Sequence, residues 1–281
     1  MTWTRWFAAL ALGVGLISVQ AGPAEDFVQH VQARDYDKAA RDLQPLVEGG
    51  EHWAEYNLGM MTALGVGVER DPERGIALLR RSAEAGYGEA QTALGEMHYR
   101  GIGVPKDDAA ALAWYRRAAE QGVASGINNL GAMYAEGAGV PRDYAAAAAE
   151  FRRAADMGYG ESMSNLAALL AEGLGVAPDL PQAISRWQQA AELGVGSAML
   201  SLARAYHDGR GVAADAQTAG MYAALASVRG KPEGRTLLRQ WFPDANDPAT
   251  QAVLSRAKAW VDEHPRAFTG PPFLRAGEQA K

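Results

Sequence analysis

Residues 130–143 read Leu130-Gly131-Ala132-Met133-Tyr134-Ala135-Glu136-Gly137-Ala138-Gly139-Val140-Pro141-Arg142-Asp143. The Gly-x-Gly-Val inside this stretch returns at Gly65–Val68, Gly101–Val104, Gly173–Val176 and Gly209–Val212, each time 36 residues on and without insertion. An aspartate keeps the same register at Asp71, Asp107, Asp143, Asp179 and Asp215, and a second glycine does so at Gly86, Gly122, Gly158, Gly194 and Gly230. So strict a period marks a repeat architecture, in which each unit buries its apolar face against its neighbours.

Within one period two helices are expected, over Ser125–Glu136 and Tyr144–Asp156. Leu130, Met133 and Tyr134 give the first an apolar stripe at helical spacing, and Ala147, Ala148, Phe151, Ala154 and Ala155 do the same for the second. The aspartate falls where an N-cap belongs, since its carboxylate accepts the free N–H groups of the first turn. The second glycine follows the last periodic residue, where a positive φ closes a helix. Small residues such as Ala119, Ala155 and Ala191 permit close helix approach. Leu79, Tyr115, Phe151, Trp187 and Ala223 share one register and are expected to fill the core between helices.

Outward from the repeats the pattern changes. Asp35, Gly50 and Lys38–Val47 hold the register but lack Gly-x-Gly-Val, so residues 22–50 form an N-terminal capping helix pair ahead of five repeats at 51–230. Residues 231–264 supply C-terminal capping helices, with Val253, Leu254, Ala257, Trp260 and Val261 in helical register, and 265–281 an extended or disordered tail. At the other end, Arg5 precedes an apolar run from Trp6 to Val19 that closes on Val19-Gln20-Ala21. It is shorter than the ~20 residues that span a bilayer and has the form of a signal peptide cleaved after Ala21. A retained anchor or a buried first helix is the alternative. The expected location is the periplasm or outside the cell, with no membrane span after cleavage.

Composition excludes several chemistries. Without residues 1–21, which contain Arg5 and no acid, the formal charge moves from −6 to −7. Such a balance disfavours nucleic acid, whose phosphates require cationic neutralisation. There is no cysteine, hence no disulfide and no thiolate nucleophile. A His-Glu-x-x-His arrangement is missing, and His98 and His207 stand three repeats apart in adjacent registers. Gly-x-Gly-Val follows a helix, whereas a dinucleotide loop follows a strand. No catalytic, cofactor or metal site is expected.

The run Leu-Gly-x-Met-Tyr-x-x-Gly-x-Gly-Val-Pro-x-Asp, followed by Ala-Ala-(Glu/Asp)-x-Gly, resembles the Sel1-like repeat family of tetratricopeptide-like superhelical proteins. The likeness is strong over residues 51–230 and weaker over 24–50. It implies an all-α, right-handed α/α superhelical solenoid of 36-residue helix pairs in an exported bacterial member. It also implies a non-catalytic adaptor that holds a protein or peptide on its concave face. A structural role in envelope assembly is a further implication. A cysteine-rich secreted branch is associated with penicillin binding and weak β-lactamase activity, which raises a hydrolase of cell-wall components or β-lactams as another alternative. This chain departs from that branch in having no cysteine.

The first helix of each pair is the expected partner-binding element. One of its registers reads Asn57, Ala93, Asn129, Asn165 and Ser201, and its neighbour Tyr56, Thr92, Asn128, Ser164 and Leu200. Asn57, Asn128, Asn129, Ser164 and Asn165 would hydrogen-bond an extended chain, or else satisfy backbone groups of the next unit. Glu96, Glu136, Glu172 and Asp208 would edge the groove, or form a solvated face paired locally with Arg142 or Arg210. Trp53 and Tyr56, beside Met60 and Leu64, would add an aromatic anchor, or pack beneath the N-terminal cap.

Overall fold

The computed structural model describes residues 22–268; the expected signal segment at 1–21 and the tail from residue 269 lie outside the described residues. The chain divides into two compact units, the first running to Leu130 with Ala138–Val140, the second comprising Gly131–Gly137 and the chain from Pro141. In the first unit the helix pairs are α1 (Pro23–Ala33) with α2 (Tyr36–Glu48), α3 (His52–Leu64) with α4 (Pro72–Glu84), and α5 (Gly88–Arg100) with α6 (Asp108–Glu120). The unit boundary falls inside α7 (Ala124–Glu136). The second unit continues with α8 (Tyr144–Asp156), α9 (Gly160–Glu172), α10 (Leu180–Glu192), α11 (Gly196–Asp208) and α12 (Ala216–Val228). It ends on α13 (Pro232–Trp241), α14 (Pro248–Glu263) and the single turn α15 (Pro265–Phe268). No strand occurs among the described residues.

The helix starts follow from the aspartate register. Asp71, Asp107, Asp143 and Asp179 each accept the N–H of the third helical residue at 2.9–3.0 Å, and Asp215 accepts that of Thr218 at 3.1 Å. Each also donates its own N–H, at 2.9 Å, to a carbonyl in the last turns of the first helix: Thr62, His98, Tyr134, Leu170 and Tyr206 in order. One residue therefore caps the second helix and ties it back to the first. Losing such a cap costs about 0.5–2 kcal/mol. At the far end of the pair, Val123 N–H reaches back to the Ala118 carbonyl at 3.0 Å while Gly122 sits at φ 78°, the closure expected for a left-handed C′ glycine.

The core follows a second register. Tyr115 and Phe151 are buried, and their rings lie against Gly95 and Gly131 of the first helix, where a Cβ would stand 2.7 and 2.9 Å from the ring carbons. Leu79 takes the same place over Gly59, and Trp187 lies buried in the register with its indole N–H donating to the Ser164 carbonyl at 3.2 Å. The expectation that these side chains are core therefore holds. Fully burying one such ring contributes about 2–3 kcal/mol.

Successive repeats are locked through the second glycine of the loop, except that Gly103 faces the Ile76 side chain instead of a helix start. Gly67, Gly139, Gly175 and Gly211 back onto the first residue of the preceding second helix, respectively Tyr36, Asp108, Tyr144 and Leu180. At Gly139 a Cβ would meet the Asp108 carbonyl oxygen at 2.7 Å, and at Gly175 it would overlap the Tyr144 backbone. This contact explains why Ala138–Val140 belong with the first unit.

Both ends depart from the repeat. Arg34, at φ 61°, makes the tight turn between α1 and α2. At the C-terminus Gly234 of α13 lies against the Ala223 backbone of α12, and Gly220 of α12 faces Phe242 and Val253. Two expectations need correction. Leu254 is 41% exposed, because α14 buries only the line through Thr250, Val253 and Ala257. The chain beyond Pro265 is not extended from its start: residues 265–268 make a helical turn that buries Ala267 against Gly194.

The two glycine registers predict different sensitivities. Gly158, at φ 87°, has nothing within 4 Å of the place a methyl would take, so Gly158→Ala carries only the left-handed strain of about 1–2 kcal/mol. Gly139→Ala adds a backbone collision and is expected to cost about 3 kcal/mol or more. Chemical denaturation of the two variants side by side checks the ordering, and equal midpoints would refute the lock.

Candidate partner-binding surface

Three faces of each first helix are already engaged before any partner arrives. The register of Leu58, Leu94, Leu130, Leu166 and Leu202 points into the core. The register four residues into the helix, Glu55, Gln91, Ile127 and Met199, is also buried. The register after it forms a seam between successive first helices. Tyr56 lies against Tyr87 with centroids 5.5 Å apart, Thr92 Oγ1 stands 3.1 Å from where a Cβ on Gly126 would be, and Ser164 and Ser197 hydroxyls meet at 3.1 Å.

This seam overturns part of the expected groove. Tyr56 and Ser164 are buried in it, Tyr56 to 3% exposure, Asn128 in the same register is buried too, and none of the three is presented to a partner. Asn57 is buried as well, and its amide turns back to donate to the Trp53 carbonyl at 2.8 Å. Trp53 is half-buried, packed on Phe27 of α1 at 5.9 Å between centroids. Trp53 therefore lies beneath the N-terminal pair, while Tyr56 packs toward the next repeat. Glu96 is not a free rim group either: it accepts the Tyr115 hydroxyl at 2.9 Å and pairs with Arg100 one turn on. The physical reason is that Tyr115 buries a hydroxyl that needs an acceptor. Burial and the Glu96 charge push the Tyr115 hydroxyl well above its ordinary pKa.

What stays open is a stripe at i, i+4, i+7 and i+11. In the second unit α9 presents Glu161, Asn165, Ala168 and Glu172, and α11 presents Ser197, Ser201, Arg204 and Asp208. Asn165 and Ser201 are half-buried; Ala168, Glu172, Arg204 and Asp208 are exposed. The same register in α7 places Asn129 half-buried and Glu136 exposed at the helix end. Glu172 receives Arg210 at 3.1 Å, and Asp208 meets His207 Nδ1 at 2.7 Å. Arg142 instead lies over the Tyr144 ring at 5.6 Å. The His207 ring stacks on Trp241 of α13, 4.2 Å between centroids and 11° between planes. Arg204, His207 and Trp241 were not among the sequence candidates. Arg204 shares the register of Glu96, whereas Trp241 reaches this surface only through the fold of the C-terminal helices.

In the first unit two carboxylates sit in unusual places. Glu55, with its side chain 3% exposed, is held by Arg81 Nε at 2.5 Å and His52 Nδ1 at 3.1 Å. Burying a carboxylate is tolerated only with such partners. Glu89, half-buried on α5, has its pKa raised by burial, partly opposed by a backbone hydrogen bond. Beside it burial and the Glu89 charge push the Tyr87 hydroxyl up to about 12. Nothing in these groups assembles a reaction centre; hydrogen bonding and charge are what the surface offers. Among the described residues no three His or carboxylate groups converge as metal ligands, and no helix is long and apolar enough to cross a membrane.

A raised carboxyl pKa means that the folded state binds the proton more tightly than the unfolded state, so Glu89 weakens stability above its unfolded pKa near 4.5 and not below it. Glu89→Gln is expected to raise the melting temperature at pH 7, with the gain fading as pH falls through 4.5. Melting curves of both proteins across this range check it; a gain independent of pH would contradict the assignment.

The Sel1 repeat model matches residues 54–87, 88–123, 124–159, 160–195 and 196–229 in succession. No match is found among curated proteins. Among solved structures, the Sel1 repeat protein from Oxalobacter formigenes is 27% identical, with 85% of this chain and 97% of that chain covered and a TM-score of 0.71. The protective antigen c5321 of uropathogenic Escherichia coli, described as an SLR fold, is 26% identical with a TM-score of 0.64; the match covers 92% of this chain but 56% of that one. The immunity protein PA5088 from Pseudomonas aeruginosa, at 20% identity, TM-score 0.51 and coverage of 79% and 83%, shares the fold alone. Sel1 repeats commonly mediate protein–protein interaction, and proteins built from them are generally non-catalytic scaffolds. With five consecutive repeats matched and an all-α solenoid of helix pairs in place, the chain belongs to the Sel1 repeat family.

Proposed function

We propose that this protein is a non-catalytic adaptor, exported to the periplasm or beyond, that holds a polypeptide segment against the open stripe of its first helices. The carrying observation is the composition of that stripe in the second unit: short amide and hydroxyl groups at Asn165 and Ser201, a methyl at Ala168, and charged groups at Glu172, Arg204 and Asp208. Every residue of an extended peptide brings a backbone donor and an acceptor that need partners. An amide side chain supplies both, and short side chains let the peptide backbone come close. A small metabolite would need an enclosed pocket, which this open surface does not form. Glu172 faces the Arg210 guanidinium, so the paired carboxylates that glycoside hydrolysis requires are not assembled there. Export is supported by the apolar run ending in Val19-Gln20-Ala21.

Ala168 is exposed and offers a site for a photo-crosslinking amino acid; Ala259, exposed on α14, serves as the control position. Crosslinking in the periplasmic fraction of the source cells is expected to attach a polypeptide at position 168 and not at 259. Asn165→Arg with Ser201→Arg should abolish the product while leaving the melting profile in place. Equal labelling at both positions, or none at 168, would remove the proposed surface. Recovery of mature protein beginning at Gly22 tests export separately.

A further inference from the structure

The second helices carry a feature that the adaptor reading does not use. Paired arginines recur in one register, Arg80-Arg81 on α4, Arg116-Arg117 on α6 and Arg152-Arg153 on α8, and all six are exposed. The later member of each pair has a partner within the fold. Arg81 holds Glu55 at 2.5 Å, the Arg117 guanidinium lies over Trp114 at 4.7 Å, and Arg153 meets Glu150 at 3.3 Å. The earlier members, Arg80, Arg116 and Arg152, make no hydrogen bond or ion pair with any described residue. Their guanidinium groups are left to face outward.

In the first unit Arg80 stands at the edge of a shallow cleft of about 370 Å³. Its floor is apolar, made by Ile76, Ala77 and Val104, and its rim adds Glu73 and Glu84 to the arginines. The next repeat of the same unit holds Leu112, Arg116 and Glu120 in the corresponding registers. We propose that this second-helix face of the first unit docks an acidic polypeptide segment whose carboxylates alternate with apolar side chains. A guanidinium fork matches a carboxylate in a bidentate pair, and the cleft floor can take the apolar neighbour. The rim carboxylates argue against a polymer charged at every step. Nucleic acid or polyphosphate would set phosphates against Glu73, Glu84 and Glu120 and bring nothing apolar to the floor. The surface is distinct from the first-helix stripe, so either can fail alone.

Fluorescence anisotropy on the full chain tests it with a labelled peptide of Glu-Leu-Gly repeats. Three other probes accompany it: the same peptide with Gln for Glu, the same with Lys for Glu, and a polyphosphate of matching charge. The Glu peptide is expected to bind, more weakly as salt is raised, while the other three bind at least about tenfold less tightly. Arg80→Glu with Arg116→Glu should lower affinity for the Glu peptide by about tenfold or more with an unchanged melting curve. The Asn165→Arg, Ser201→Arg variant should keep it. No binding of the Glu peptide, equal binding by the arginine variant, or equal affinity for the Gln peptide or polyphosphate would overturn the proposal.

Discussion

The fold depends on an approach that leaves no room for a side chain: the second loop glycine resting on the preceding second helix, directly on its backbone at Gly67, Gly139 and Gly175. That contact sets how far one repeat can stand from the next. It also explains why the repeat length is invariant. A residue added to the loop would lift that contact, and one added within a helix would turn the rest of the helix by about 100°. The aspartate would then lose both its capping bond and its tie to the first helix, and the aromatic register would turn away from its glycine. The helices from α3 to α12 are accordingly all 13 residues long.

The same economy of space decides what is left for binding. A first helix must face its own partner helix, the core and the next first helix, and only one stripe of its surface escapes. That stripe and the outer side of the second helix carry few of the contacts that join the repeats, among them Glu172 with Arg210 and Asp156 with Arg186. Two chemically different surfaces result. One is made of short polar groups with carboxylates, the other of arginines over an apolar floor. An acidic protein, of net charge −6, thus presents arginines without internal partners set among glutamates.

Most of the fold was legible because the period repeats each clue five times: aspartate caps, closing glycines and the aromatic register all fell where their spacing placed them. The binding surface was less legible. Asn128 and Asn129 are adjacent in sequence, yet one is buried and the other half-buried in the open register. A 36-residue period aligns both registers equally well and does not say which meets the neighbour. Trp53 and Tyr56 read equally well as an exposed anchor or as packed side chains until Phe27 and Tyr87 are placed beside them. Glu55 left a readable trace, standing in a register otherwise held by Gln91, Ile127, Met163 and Met199. The arginine pairs were equally visible. A search for basic residues contiguous in sequence misses them, because they gather by register.

The lock between repeats also has a direction. In every case the later loop settles onto the earlier helix, and no described repeat waits for its successor to supply the surface on which its loop rests. A chain made from its N-terminus forward therefore meets a finished docking platform each time a new loop emerges. With contacts so short in sequence separation, assembly can keep pace with synthesis and leave little apolar surface uncovered. The closing turn at Ala267 reaches back to Gly194 in the same sense, so the last described residues act as a latch on structure already formed.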